Sequence, residues 1–362
     1  MLHARQKGMT LVEFMVAIVI GMILVAALAT LIANQSQSRA EIDKVGKMIE
    51  NGRYAVQVIT NDLQMAGYYG ETSTTPAVPA SMPDPCSTTL TPANDPNGLQ
   101  VAMGLHVQGY DGATVASTSI PSCVKNHKAG TDILVVRHAE PEAIAIAAAT
   151  KGEVYLQTGL DASGLQFASV MAAAEKTSAD DSTFSLKKRD PLVPAGVPAG
   201  IRKYSVHIYY ISECSVVNGS GTCTGNVDGG TAVPTLKRVD LMYTGGGTSA
   251  PSLTCSSCIV SIAEGIENMR IDYGVDVDGD GYPDGANQNG GAFTAADWAN
   301  VTTATVHLIA RGTETAPGFT DTNSYKLGTA EAASAPSGQT AYRRRVFVQT
   351  ARMVNPIGRR SL

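Results

Sequence analysis

The sequence lacks an excess of positive charge. It contains 27 Lys and Arg residues against 32 Asp and Glu residues, which gives a formal net charge of −5. Because nucleic-acid binding depends largely on Lys and Arg contacts with phosphates, this balance excludes attraction of the whole chain to nucleic acid. Nucleic acid is therefore not an expected partner, and any anionic partner must meet a local basic patch.

A catalytic constellation is also missing. The six His residues are scattered along the sequence, and no grouping of Ser, His and Asp indicates a hydrolase. The CxxC motif from Cys255 to Cys258 has no second CxxC or His pair to complete a tetrahedral zinc site. Redox motifs of this kind stand at a helix start after a strand, so a tight structural disulfide is the favoured interpretation. We therefore expect no enzyme activity.

Cysteine is absent from the first part of the chain. All six Cys residues lie far downstream of the hydrophobic segment, and an even number there is typical of an oxidising compartment. Pairing of sequence neighbours suggests three disulfides, while other connectivities and free buried thiols stay open. The disulfide candidates are Cys86, Cys123, Cys214, Cys223, Cys255 and Cys258.

Charge is nearly absent from residues 11–33, where Glu13 is the only charged residue. The run is long enough to span a bilayer, and it lacks the shorter apolar region and small-x-small site of a secretory signal peptide. Arg5 and Lys7 precede it, which places the N-terminus in the cytoplasm by the positive-inside rule. We therefore expect a single-pass anchor in the inner membrane, with the C-terminal domain in the periplasm.

Glu13 is the informative residue of this segment. A carboxylate inside an apolar span costs roughly 2.5 to 3.5 kcal/mol on insertion scales and usually marks function. The run from Gly8 to Glu13, GMTLVE, matches the cleavage motif of type IV prepilins, and the N-terminus resembles that family. The resemblance implies that prepilin peptidase cuts between Gly8 and Met9, that Met9 is then N-methylated, and that Glu13 pairs with an N-terminal amine during assembly.

An apolar stripe continues beyond the membrane segment. Spacings of three and four predict a helix to about Tyr69, packed by one face on a globular domain or paired in a coiled coil. Gly67 is expected to stop this helix. Arg53-Tyr54-Ala55 and the run from Asp62 to Tyr68 resemble minor pilins of the PilW kind. The stripe consists of Ile42, Val45, Ile49, Gly52, Val56, Ile59, Leu63 and Ala66.

Strand patterns occur only beyond this helix. Residues 71–100 contain six Pro, which predicts a long surface loop. Tyr204–Ile211 and Val301–Ala310 alternate in polarity, which predicts one buried face for each strand. A long helix followed by strands predicts an α+β fold like that of type IV pilins, with the helix packed on an antiparallel β-sheet domain with long loops. The other strand-like runs are Ile133–Arg137, Leu236–Tyr243, Ile259–Tyr273 in part, and Arg345–Val354.

An acidic segment has the spacing of a calcium loop. Oxygen-bearing side chains occupy its first, third, fifth and ninth positions, and Gly281 at the sixth allows a sharp turn. The twelfth position lacks the usual bidentate Glu, so we expect a weaker, structural site. PilW-like minor pilins carry a stretch similar to Tyr273–Gly281. The predicted calcium ligands are Asp276, Asp278, Asp280, the Tyr282 carbonyl, Asp284 and Asn287.

Two other interpretations compete for this acidic segment. A solvated acidic turn without an ion is one, although carboxylates so close together repel each other without a cation. The other is a phosphatase of the haloacid-dehalogenase type, in which Asp276 would attack phosphorus and Asp278 would act as acid or base. That fold requires an alternation of strands and helices that this sequence lacks, so the calcium interpretation is favoured.

A cluster of Arg residues near the C-terminus forms the one basic patch. It could contact DNA, an acidic partner subunit or lipid headgroups. The favoured interpretation is a solvated edge strand that charge protects from aggregation. PilW-like chains end in a similar Arg-rich strand, which implies a structural role. The cluster consists of Arg343, Arg344, Arg345, Arg352, Arg359 and Arg360.

These observations predict four segments. They are a prepilin leader at 1–8, a transmembrane and pilus-core helix at 9–33, its amphipathic continuation at 34–70, and a periplasmic β-rich domain at 71–362. The resemblance implies a minor type IV pilin that helps to initiate pilus assembly at or near the tip and supports motility or adhesion. Its implied partners are other minor pilins, the major pilin and a tip adhesin. A J-type minor pseudopilin of type II secretion and a DNA-uptake pilus subunit are the alternatives.

Overall fold

The computed structural model describes most of the chain, in two compact units, Met1–Lys47 and Met48–Leu362. The predicted leader at 1–8, with Gly8, and the predicted disulfide partner Cys255 lie outside the described residues. The described ranges are 9–72, 76–87, 98–114, 120–150, 153–161, 167–173, 183–188, 196–240, 258–330 and 332–360.

Helix α1 runs from Leu11 to Met65. In the first unit its large apolar side chains are exposed from Leu11 to Ile32. By length and composition this helix could cross a membrane. An apolar helix surface without protein contacts is typical of a membrane segment or of a surface that other subunits cover.

The part of α1 in the second unit is half-buried. Gly52, Val56, Ile59 and Leu63 of the predicted stripe are buried, whereas Ile42, in the first unit, is 70% exposed. The burial of this face fits the predicted packing of the helix on a globular domain.

The helix ends at Met65, before the predicted end near Tyr69. Gly67 has a φ of 72°, and its N–H donates to the carbonyl of Arg137 at 2.9 Å instead of continuing the helix. The side-chain amide of Asn355 donates to the carbonyls of Gln64 at 3.2 Å and Ala66 at 3.3 Å. Free carbonyls at a helix end need such partners, so the end of α1 is fixed by residues from elsewhere in the chain.

The remaining described elements are mostly strands. The short helices are α2 Leu99–Ala102, α3 Ala295–Ala299 and α4 Val354–Arg360. The strands are β1 Val107–Tyr110, β2 Ile133–Ala139, β3 Val154–Leu160, β4 Phe167–Ala173, β5 Ile201–Ser212, β6 Thr235–Asp240, β7 Ile259–Glu264, β8 Ile266–Val275, β9 Val301–Arg311, β10 Ser324–Tyr325, β11 Ala333–Ser334 and β12 Arg344–Arg352.

The strand pairs of the described residues are antiparallel. The largest sheet has the order β1-β2-β5-β3-β4, and β6 pairs with β5 and β7. A second sheet has the order β12-β9-β8, and β10 pairs with β11. The predicted α+β class, with a long N-terminal helix and antiparallel sheets, is confirmed.

The prediction of one buried face for β5 is wrong, because both of its faces are covered. Val206 and Ile208 pack in one apolar cluster with Met103, which follows directly after the segment that was predicted to be a surface loop. On the opposite face, His207 contacts Asp62 of α1. Strand β9 is likewise buried along most of its length. The described part of residues 71–100 is itself not simply a surface loop, because Cys86 and Leu99 belong to the same covering cluster.

Gly52 lies where α1 meets β12. A Cβ atom at this position would lie 2.3 Å from Cε2 of Phe347. We expect Gly52→Leu to lower the free energy of unfolding by about 1 to 3 kcal/mol, as overpacking does. Denaturant unfolding in mild detergent, followed by fluorescence of Trp298, measures this change. Trp298 is the one Trp of the sequence and is buried.

The contact between Gly52 and Phe347 also gives this prediction its control. Gly46 lies on the same helix, and a Cβ atom there would meet nothing within 4 Å outside the helix backbone, so Gly46→Leu should leave stability nearly unchanged. Adding Phe347→Ala to Gly52→Leu should recover part of the loss, because contacting sites are not additive. Additive effects in this double mutant would contradict the proposed overpacking.

Candidate functional site

The start of α1 is held by a capping box. The backbone N–H and the hydroxyl of Thr10 donate to Oε2 of Glu13 at 2.9 and 3.1 Å. The N–H of Glu13 donates back to the Thr10 hydroxyl at 3.3 Å. The sequence signal for this motif, Thr followed three residues later by Glu, was missed. In the single subunit the Glu13 carboxylate therefore already has local donors, and its pairing with another subunit's amine stays a prediction.

The acidic loop begins directly after β8. Asp276 is only 1% exposed, and its two carboxylate oxygens accept from the N–H groups of Gly279 at 2.7 Å and Gly281 at 3.0 Å. Both glycines have positive φ, 83° and 86°, which side chains with a Cβ rarely adopt. The sharp turn predicted at Gly281 is present. A carboxylate held in this way is poorly placed to act as the nucleophile of the phosphatase alternative.

Three of the predicted calcium ligands come together. Asp276, Asp278 and Asp280 each offer a carboxylate oxygen, and these atoms lie within 4.8 Å of one another. Asp284 is not in this group, and its Oδ2 accepts from the backbone N–H groups of Val277 at 2.7 Å and Asp278 at 3.3 Å. Three converging carboxylates are a suitable donor set for a hard cation such as calcium.

The two remaining predicted ligands are placed differently. A Cβ at Gly274 would lie 3.1 Å from Oδ1 of Asn287, which puts this side chain beside the end of β8. The backbone N–H of Tyr282 donates to Asp280 at 2.7 Å, and its ring lies 4.9 Å from the Arg352 guanidinium. Arg352 also donates to the Gly281 carbonyl at 3.1 Å. The acidic loop is thus in contact with the end of β12.

The C-terminal Arg cluster is not uniformly solvated, so that prediction is wrong for Arg344. Its side chain is 1% exposed and forms ion pairs with Glu267 and with Asp321, the latter at 3.1 Å. Arg343 and Arg345 instead lie over the rings of aromatic residues. An Arg that is buried among acids is unavailable to DNA, which weakens the DNA-uptake alternative.

Two disulfides join sequence neighbours as predicted. Cys86 pairs with Cys123 and Cys214 pairs with Cys223. Cys258 is also disulfide-bonded. Cys86 and Cys123 belong to the apolar cluster on β5, so their bridge joins two segments of the layer that covers the sheet.

A cluster of Asp62, His138 and His207 was missed by the sequence reasoning. Nε2 of His138 lies 2.8 Å from Oδ1 of Asp62, and Nδ1 of His207 lies 2.9 Å from Oδ2 of the same residue. We call these three residues the Asp62 cluster. It joins the last turn of α1 to β2 and β5. Because the members are far apart in sequence, only the alternation of His with apolar residues along two strands hinted at a shared face.

Pairing shifts the pKa values of Asp62 and His138 in opposite directions. Burial raises the pKa of Asp62, but hydrogen bonds and charge from both His residues outweigh it and hold the pKa well below its usual value. Burial lowers the pKa of His138, but the hydrogen bond and the charge of Asp62 outweigh it and raise the pKa. Both shifts favour the charged forms of the pair.

Comparison with known families supports the interpretation of both ends of the chain. Residues 208–355 match the family described as Type IV Pilus-assembly protein W, PilW. Residues 3–29 match the prokaryotic N-terminal methylation motif. The chain is thus similar to PilW proteins over part of its length and to methylated prepilins at its N-terminus. The predicted resemblance to prepilins of the PilW kind is confirmed over these residues.

Other comparisons add little to the PilW match. Among curated proteins, none matches the chain significantly. A solved structure of a type IV-like pilin from Thermus thermophilus is 15% identical, over 41% of this chain and 79% of that chain, with a TM-score of 0.21. That score is too low to support an argument. The residues that match PilW include β8, the acidic loop, β9 and β12.

Proposed function

We propose that this chain is a minor type IV pilin that helps to initiate pilus assembly and sits at or near the pilus tip, where it supports motility or adhesion. The single observation that carries the proposal is the match of a PilW domain and a methylation motif in one chain. The exposed apolar surface of α1 supports it, because such a surface suits both a membrane and a bundle of like helices. The proposed role is structural rather than enzymatic.

The proposed steps of processing and assembly follow from the sequence of the N-terminus. Prepilin peptidase cuts between Gly8 and Met9, and Met9 is then N-methylated. The subunit stays in the inner membrane through residues 9–33, with its domain in the periplasm, until it joins the filament. Glu13 then exchanges its bonds to Thr10 for a pairing with an N-terminal amine, because two buried opposite charges compensate each other only as a pair. The proposed partners are other minor pilins, the major pilin and a tip adhesin.

Deletion of the gene and complementation test this proposal. We expect surface pili, counted by electron microscopy and in sheared fractions, to fall on deletion and to return with the wild-type chain. A Gly8→Val variant, which should block cleavage, is expected to remain in the membrane and to restore nothing. Intact-mass analysis should show a methylated Met9 start only when prepilin peptidase is present.

The alternatives predict different outcomes of the same experiment. Normal pili with a loss of type II secretion would identify a minor pseudopilin instead. Normal pili with a loss of DNA uptake would identify a competence subunit. An uncut Met1 start in the presence of the peptidase would reject the prepilin assignment.

We also propose that the acidic loop binds calcium in a structural role. We expect calcium to raise the Tm of the full-length protein in detergent relative to EGTA, because a ligand that binds only the folded state stabilises it by about 2.7 kcal/mol at 100 times its Kd. Asp278→Asn should remove most of this shift, since it takes away one of the three converging carboxylates. Asp43→Asn, on α1 in the first unit, is the matched control. A Tm that does not depend on calcium in the wild type would reject the site without affecting the pilin assignment.

A further inference from the structure

The Asp62 cluster brings three potential metal ligands together inside the second unit. One ring nitrogen of His138, one of His207 and a carboxylate oxygen of Asp62 lie within 4.8 Å of one another. Their side chains are 5%, 15% and 9% exposed. The two His residues stand on the paired strands β2 and β5, and their rings meet edge to face at 5.3 Å. The ligand atoms thus come from three separate elements that already pack together.

The outer nitrogen of each ring faces an acceptor. Nδ1 of His138 lies 3.1 Å from the carbonyl of Ala139. Nε2 of His207 lies 3.9 Å from Oδ1 of Asp240, which Arg238 in turn holds through a bond of 2.9 Å to Oδ2. Metal-binding His residues almost always have such a carbonyl or carboxylate partner on the second nitrogen, which orients the ring and fixes its tautomer.

The acceptor beside the outer nitrogen of a ring determines whether its inner nitrogen, which faces Asp62, has a lone pair for a metal. Because a carbonyl only accepts, Nδ1 of His138 carries the proton and a neutral ring presents a lone pair at Nε2. That lone pair then faces the Asp62 carboxylate across 2.8 Å, and two acceptors at this distance repel each other. A positive charge must lie between them, either as an added proton or as a metal ion.

We propose that Asp62, His138 and His207 bind one divalent transition-metal ion, for which Zn²⁺ is the best match. Two imidazole nitrogens and one carboxylate oxygen are a common three-ligand set for zinc. Zinc bonds of about 2.0 to 2.2 Å place tetrahedral ligands roughly 3.3 Å apart, so the present contacts need to open by about half an ångström. One ion between the three side chains would then contact both ring nitrogens and the carboxylate.

A buried tyrosine packs beside this site. Tyr209 is fully buried, and its hydroxyl lies beside Asp62 and Arg238. Its ring packs edge to face on His207 at 6.3 Å. Metal binding would fasten the last turn of α1, which carries Asp62, to the strands that carry His138 and His207.

Zinc titration of the full-length protein in detergent tests the proposal. We use an Asp278→Asn background so that the acidic loop contributes less binding. We expect one equivalent of Zn²⁺ to bind, and Co²⁺ in its place to give visible absorption bands of a tetrahedral site. His138→Gln and His207→Gln should each weaken Zn²⁺ binding on the order of 100-fold or more, and Asp240→Asn, which keeps all three ligands, by about 10- to 100-fold.

His307 supplies the matched control. It also faces a carboxylate, with Nε2 3.3 Å from Oδ2 of Asp272, but it belongs to no three-ligand group among the described residues. His307→Gln should therefore leave zinc stoichiometry and affinity unchanged. Equal binding by wild type and the variants at His138, His207 and Asp240, or no retained zinc in the wild type, would overturn the proposal and leave the cluster as an ion-pair network. Asp240→Asn keeps the test valid if the ligand variants fail to fold.

Discussion

Arg344→Met is expected to lower the free energy of unfolding by about 3 to 5 kcal/mol, as removal of one partner from a buried ion pair does. The Arg344 side chain is almost fully buried between two acids that are themselves buried, Glu267 and Asp321. Without Arg344 the Glu267 and Asp321 carboxylates keep their desolvation cost and lose the cation that mainly compensates it. Arg311 is a weaker partner, because it lies 3.8 Å from Glu267. Denaturant unfolding followed by Trp298 fluorescence measures the loss.

The effect of Arg344 should also depend on pH. Burial raises the pKa of Asp321, but hydrogen bonds from Asn323, Tyr325 and Arg344 outweigh it and hold the pKa below its usual value. A carboxyl group with a lowered pKa contributes stability above its unfolded pKa, about 3.9, and loses that contribution as the pH falls through its folded pKa. The difference in free energy of unfolding between wild type and Arg344→Met should therefore be largest near pH 7 and shrink below about pH 4.

Arg345→Met is the control for this prediction. Arg345 neighbours Arg344 on β12 but is exposed, and its guanidinium lies 5.9 Å from the Phe347 ring. We expect its replacement to cost less than about 1 kcal/mol, because exposed charge and cation–π contacts are weak. Equal losses for the two variants would show that the burial of Arg344 does not determine its contribution.

Removal of the Cys86–Cys123 disulfide is expected to have a similarly large effect. The bridge closes a loop with a sequence separation of 37, against 9 for Cys214–Cys223. In the chain-entropy description the longer loop corresponds to about 4 kcal/mol of stabilisation and the shorter one to about 3 kcal/mol. The double variant Cys86→Ala/Cys123→Ala should therefore unfold at a lower denaturant concentration than the variant that lacks the Cys214–Cys223 bridge.

Packing should increase the difference between the two bridge deletions. Cys86 and Cys123 are buried in the apolar cluster on β5, whereas Cys223 is only partly buried. Loss of the first bridge therefore also loosens contacts between the covering layer and the sheet. Unfolding in non-reducing buffer measures both effects. A larger loss for the Cys214→Ala/Cys223→Ala variant would contradict this account.

The sequence predicted the elements that carry strong local signals. The apolar run from Leu11 and the stripe to Leu63 predicted α1, and runs of β-branched and aromatic residues predicted β2, β5 and β9. These segments have unambiguous periodicity, and periodicity is the main signal for secondary structure. Strand β3 was missed, and so was β4, whose residues from Phe167 to Ala173 are small or mixed in character.

The sequence did not predict which distant residues contact each other in the fold. The acidic loop was found because its residues are neighbours in the chain. Asp62 and His207 of the Asp62 cluster are 145 positions apart in the sequence, and the ion pair of Arg344 with Glu267 joins β12 to β8. Such contacts depend on sheet order and register, which no local pattern specifies. The same limit explains why the Pro-rich segment 71–100 was predicted to be a surface loop. Its local sequence does not show that Cys86 and Leu99 pack on β5.

The contact of Asn355 and Phe347 with α1 determines when the domain can fold. Synthesis proceeds from the N-terminus, so α1 emerges first and the residues that cap and cover it emerge last. Until β12 and α4 have left the ribosome, the buried stripe of the helix lacks its closing partners. Contacts between such distant residues also form slowly. Folding of the second unit is therefore completed by β12 and α4, and a chain cut short before β12 would leave an open apolar face on α1.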